Sequence, residues 1–153
     1  MAAVRSRPPR PRLRLLWLVL AAAIVATLAA PAMAQGAELK RFITPSRNIG
    51  CFGDNTGVRC DIRTTSAKPP KKPANCRLDW GSAYEVNRRG RAHGLCVGDT
   101  ALPDPNKREP VLKYGHTIRL GNGLKCTSKR TGLTCRNAGG HGFTLSKTQI
   151  RLF

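Results

Sequence analysis

Along most of this chain apolar and polar positions alternate over short runs and never settle into a helical period. Ala83 to Val86, Ala92 to Cys96, Phe143-Thr144-Leu145 and Ile150 to Phe153 read as strands, and Arg77-Leu78-Asp79-Trp80 carries the same alternation. Turn residues interrupt the pattern about every 8–12 residues, which predicts an all-β domain of short antiparallel strands and hairpins. Two proline-rich stretches, Thr64 to Asn75 and Ala101 to Pro110, cannot supply central strands and are expected as loops.

One run breaks the alternation. Leu15 to Ala30 is apolar except for Thr27, follows Arg5, Arg7, Arg10, Arg12 and Arg14, and precedes Ala32-Met33-Ala34. A basic segment, an apolar segment and a small-x-small site predict a Sec-type signal peptide over residues 1–34, cleaved after Ala34. The competing reading is an uncleaved anchor, since a spanning helix needs about 20 apolar residues. Either way the remainder is expected outside the cytoplasm as a secreted, extracellular domain. Residues 35–41 are expected as a flexible tail and residues 42–153 as a single domain with no further membrane span.

A ten-residue pattern, C-x4-T-G-[VL]-x-C, occurs twice, as CFGDNTGVRC from Cys51 and CTSKRTGLTC from Cys126. Pairing the cysteines across an antiparallel ladder sets Phe52 against Arg59 and Gly53 against Val58. Asp54-Asn55-Thr56-Gly57 is then the turn, matched by Lys129-Arg130-Thr131-Gly132, with Gly57 and Gly132 expected to provide a left-handed residue. Facing positions in such a ladder are close enough for a disulfide. All six cysteines lie after residue 34, which in an exported domain reads as a disulfide framework. Six cysteines allow 15 connectivities; sequential pairing, Cys51–Cys60, Cys76–Cys96 and Cys126–Cys135, is expected because the outer pairs are local. Closing loops this short stabilises by about 3 kcal/mol each. The close Cys-x2-4-Cys spacing of a zinc site does not occur, so no metal and no cofactor is expected.

Charge adds a partner class. Of 27 basic residues, five precede residue 35, leaving 22 against 8 acidic ones, a net +14. Such a domain attracts polyanions. Lys68, Lys71 and Lys72 in the first proline loop, Arg88, Arg89 and Arg91 in one turn, and Lys129 and Arg130 in another are the expected contacts for an anionic envelope polymer or an extracellular protein. Nonspecific nucleic-acid binding is a further consequence of the same charge. The chain is expected to be monomeric.

Several motifs together carry a resemblance. Phe42-x-Thr-Pro-Ser-x-Asn-Ile-Gly-Cys51, Arg59-Cys-Asp-Ile62, Cys76-x-Leu-Asp-Trp80, Cys96-x-Gly-Asp-Thr100, Tyr114-Gly115, Gly132-Leu-Thr-Cys-x-Asn137 and Gly140-His-Gly-Phe-x-Leu-Ser146 occur in order. The chain resembles an uncharacterised family of small secreted, cysteine-containing actinobacterial proteins, a DUF6636-like domain of unknown function. The resemblance implies export and a cysteine framework, and no activity. The lysine-rich segment before Cys76 departs from it.

Candidate chemistry is thin. His141, between glycines that let a backbone approach a ligand, with Asp79 or Asp99 could form an acid–base pair of a small hydrolase; the bland reading is a tight turn in which His141 caps a carbonyl. Trp80 is expected as a core filler, or with Tyr84 as a platform for sugar rings. No nucleophile elbow, phosphate loop or zinc-protease motif occurs. The expectation is a non-enzymatic binding domain, with the hydrolase as the alternative. A third reading, a stapled protease inhibitor, has no residue to carry it.

Overall fold

The computed structural model describes residues 38–153. The expected signal peptide, its cleavage site and the start of the tail lie outside them. Ten strands follow one another: β1 (Lys40–Ile43), β2 (Ile49–Gly53), β3 (Gly57–Ile62), β4 (Ala83–Asn87), β5 (His93–Gly94), β6 (Thr117–Gly121), β7 (Leu124–Lys129), β8 (Gly132–Arg136), β9 (Gly142–Leu145) and β10 (Ile150–Leu152). They form two five-stranded antiparallel sheets, each a meander in chain order. The domain is all-β, as the alternation requires.

The two ten-residue repeats occupy the same place in the two sheets. Each is the hairpin of the second and third strands, β2–β3 and β7–β8, with its cysteines directly opposite. The expected register, Phe52 against Arg59 and Gly53 against Val58, is the observed one. The pairs 51–60, 76–96 and 126–135 are bonded, and the two hairpin pairs share a Cα separation of 4.1 Å. A row of core residues crosses the first sheet as Phe42, Cys51, Cys60 and Tyr84. An equivalent row crosses the second as Ile118, Cys126, Cys135 and Phe143. The inward faces bury these rows against each other in one apolar cluster. At its centre Cys60 Sγ lies 3.7 Å from Cys135 Sγ, and the Tyr84 and Phe143 ring centroids are 6.5 Å apart. The sulfurs of Cys60, Cys126 and Cys135 cluster closely enough to suggest a metal site, but all three are in disulfides and offer no thiolate. Burial raises the Tyr84 hydroxyl to about 12, so it stays neutral in this core.

The glycines of the two tips do different jobs. Gly132 has φ of 140°, and a Cβ there would lie 2.6 Å from the Leu145 carbonyl oxygen. Gly57, expected to be left-handed too, is absent from the positive-φ residues; its missing side chain makes room for Asn87 Oδ1, 2.6 Å from where a Cβ would stand.

Other expectations are corrected. Lys40 and Arg41, assigned to the tail, are part of β1 and pair with Gly53 and Phe52. The strand expected over Ala92 to Cys96 shortens to His93–Gly94. Arg77 to Trp80 forms no strand, only a backbone bridge between Asp79 and Val97. Trp80 is half-buried and stands outside the core. Its indole donates to the Pro70 carbonyl at 2.8 Å and packs so closely on Gly94 that a Cβ there would be 2.9 Å away. Tyr84 is fully buried, so it cannot stack on a ligand beside Trp80.

The three disulfides point to an oxidising environment of the extracellular kind. Among the described residues no helix is long and apolar enough to cross a membrane.

Candidate anion-binding surface

The outward face of the second sheet collects charge. Alternation along β6, β7 and β8 turns Ile118, Leu120, Leu124, Cys126, Leu133 and Cys135 into the core. The residues between them therefore face out. Two rows result. Thr117, Thr127, Thr134 and Thr144 lie opposite one another across four strands, with Arg151 next in register. Hydroxyl pairs tie the row, Thr117 to Thr127 at 2.7 Å and Thr134 to Thr144 at 3.0 Å. Beside it runs a cationic row, Arg119, Lys125 and Arg136. Lys129 and Arg151 complete the rim of a shallow concavity of about 370 Å³. Arg151 sits over the Phe153 ring at 4.9 Å.

Among the described residues none of these five cations is in an ion pair. The reason lies in the sequence: no aspartate or glutamate follows Glu109, while eight lysines and arginines do. A field of one sign on an uncovered face attracts anions, and the threonine hydroxyls can donate or accept between the charges.

The family model of a family of unknown function (DUF6636) matches residues 22–153. The chain belongs to this family. No curated protein and no solved structure matches it. The surface just described is therefore a feature of a DUF6636 chain read from its own side chains.

The catalytic candidates of this DUF6636 domain have different neighbours. His141 lines a concavity with Arg88, Arg89, Asn122 and Asn137, and neither Asp79 nor Asp99 is among its lining residues. Asp99 accepts from Arg59 Nη1 at 2.9 Å, and Asp79 belongs to the backbone bridge beside the Cys76–Cys96 disulfide. The His141 turn is held by Asn137 and not by the imidazole. Asn137 Oδ1 accepts from the His141 amide at 3.1 Å, while its Nδ2 donates to the carbonyls of Asn87 and Gly90 at 3.0 and 2.9 Å. One buried side chain thus ties the β8–β9 turn to the β4–β5 turn.

Of the expected basic contacts, Lys129 belongs to the cationic face, and Arg130 lies next to it with its guanidinium over the Tyr114 ring at 5.3 Å. Arg88 and Arg89 line the His141 concavity, and Arg91 is exposed beside them in the β4–β5 connection. Lys68, Lys71 and Lys72 are exposed on the proline loop, where Lys72 Nζ donates to the Leu78 carbonyl at 2.9 Å. Arg119, Lys125, Arg136 and Arg151 are not among the basic contacts expected from the sequence, because each lies inside a strand and not in a loop or at a hairpin tip. Their signal was present: Thr-x-Arg, Lys-x-Thr-x-Lys and Thr-x-Arg at period two, in a stretch without acids.

Proposed function

We propose that this DUF6636 chain is a non-enzymatic binding module, exported by residues 1–34 and cleaved after Ala34, that holds an anionic envelope polymer across the outer face of its second sheet. The observation that carries the reading is the set of five cations around the threonine row, none in an ion pair among the described residues, in a region with no acidic residue. A strand interval of about 4.8 Å across the sheet and about 6.7 Å between alternate residues along it presents a regular grid of donors. A flexible polyanion engages such a grid by releasing counterions, so its binding must weaken with salt.

The test is retention on isolated wall polymer and on a heparin-like resin. Lys125→Glu with Arg136→Glu should elute at clearly lower salt and weaken binding by about tenfold or more at moderate ionic strength. Lys68→Glu with Lys71→Glu, on the proline loop, should change it less. Retention that ignores salt, or that survives the sheet variant unchanged, would remove this reading.

A further inference from the structure

The two hairpin tips meet the opposite sheet differently. The Asp54–Gly57 tip is sealed against the β6–β7 turn. Asn122 Nδ2 donates to the Asn55 carbonyl at 3.1 Å, and Gly121 lies so close to Asn55 that a Cβ would approach its Cβ to 2.9 Å. The Lys129–Gly132 tip faces the equivalent β1–β2 turn, and there a cleft of about 150 Å³ stays open.

Three cations line that cleft, Lys129, Arg130 and Lys147, with no acid beside them. Among the described residues none is in an ion pair. Arg130 is placed by its contact with the Tyr114 ring, 5.3 Å from the centroid. Ser146 Oγ accepts from the Thr148 amide at 3.3 Å and keeps its proton to donate, and the Tyr114 hydroxyl is a further donor on the wall. Three like charges around so small a space repel each other unless an anion sits between them.

We propose that this cleft is a binding site for a phosphate group. A tetrahedral phosphate offers several acceptor oxygens to a guanidinium fork, two ammonium groups and hydroxyls, whereas a planar carboxylate offers two oxygens and one charge. Lys129 lines both the cleft and the cationic face. On the polymer-binding reading, on which the source of the phosphate rests, the group is one phosphate of the polymer that crosses the second sheet, fixed where the chain leaves the face.

Amide NMR of the whole domain with inorganic pyrophosphate, with acetate and with a short glycerol-phosphodiester oligomer tests this. Pyrophosphate should shift residues 44–49, 130–132 and 146–148 saturably, acetate should not at the same concentration, and the oligomer should shift these and the β7–β8 face together. Lys147→Gln, outside the residues that line the face, should weaken pyrophosphate at least fivefold and lower resin retention less than Lys125→Glu with Arg136→Glu does; Arg130→Gln is the second variant. A silent cleft, equal shifts with acetate, or full pyrophosphate affinity in both variants overturns the site. Oligomer shifts confined to the cleft keep the phosphate site and overturn its continuity with the face. Resin retention that still depends on Lys125 and Arg136 while the cleft is silent leaves the face reading standing alone.

Discussion

The two sheets share their inner faces and differ in their outer ones. Inside, each presents a disulfide flanked by an aromatic, Cys51–Cys60 with Tyr84 and Cys126–Cys135 with Phe143. Outside, equivalent ladder positions have opposite fates. Gly50 faces Asp61 in the first sheet, and Lys125 faces Arg136 in the second. The glycine lets the Ala101–Pro103 segment lie on the sheet, where a Cβ would come within about 3 Å of it, and Asp61 Oδ2 accepts the Ala101 amide at 2.8 Å. Arg59 then binds Asp61 through two 2.9 Å contacts and reaches Asp99 at the same distance. The first sheet covers itself with its own loop and neutralises its charges. The second keeps both positions cationic and stays bare. A core fixed by packing leaves the outward positions free, and here one outer face became structure while the other stayed uncovered.

The largest effect is expected where the covered face is opened. Arg59→Met strands the buried Asp61 carboxylate without its cation, at a cost of about 3–5 kcal/mol. Denaturant unfolding should read that loss, and the Ala101 amide should exchange faster than in the parent. The equivalent residue in the second sheet, Thr134, holds no loop, so Thr134→Val should cost under about 1 kcal/mol. Similar costs at the two positions would end the distinction between a latched face and a free one.

The shared inner faces make a prediction of equality. Both hairpin disulfides close nine-residue separations, so Cys51→Ala with Cys60→Ala and Cys126→Ala with Cys135→Ala should each destabilise by about 3 kcal/mol from loop closure. Urea midpoints of the two double variants should fall together. A gap of about 2 kcal/mol or more would mean that one sheet depends on its staple and the other does not.

The stapled hairpins, their register and the all-β class were legible because each rests on local chemistry: period-two alternation, a turn within ten residues and cysteines at matched spacing. What escaped depends on contacts between distant segments. Asn137 looks like any loop asparagine until the β4–β5 turn arrives to accept its amide. Trp80 counts as core by size, yet its short segment forms no strand, so nothing carries the ring inward. The cationic face was half legible. Each strand displays its own alternation, but only the register of four strands aligns the threonines, and only the sandwich decides which side is wet.

The smallest expected effect separates the two tips by pH. At the first tip the Thr56 hydroxyl and amide donate to Asp54 Oδ1 at 2.6 and 2.7 Å, and these bonds hold the Asp54 carboxyl below its ordinary 3.8. A carboxyl lowered by folding stabilises the folded state above its ordinary value, and the benefit disappears as pH falls through the lowered one. Lys129 stands in the equivalent place at the second tip, a cation where the first tip has a carboxylate. Thermal unfolding of the parent and of Asp54→Asn should differ at about pH 6 and converge towards pH 2, whereas Lys129→Gln should keep a constant offset from the parent over that range. Because Asp54 is largely solvated, the convergence should amount to a small shift in midpoint, well below the loss from either staple. A constant Asp54→Asn offset would mean that Thr56 shapes the turn without help from the ionised carboxylate, and the two tips would then differ in charge alone.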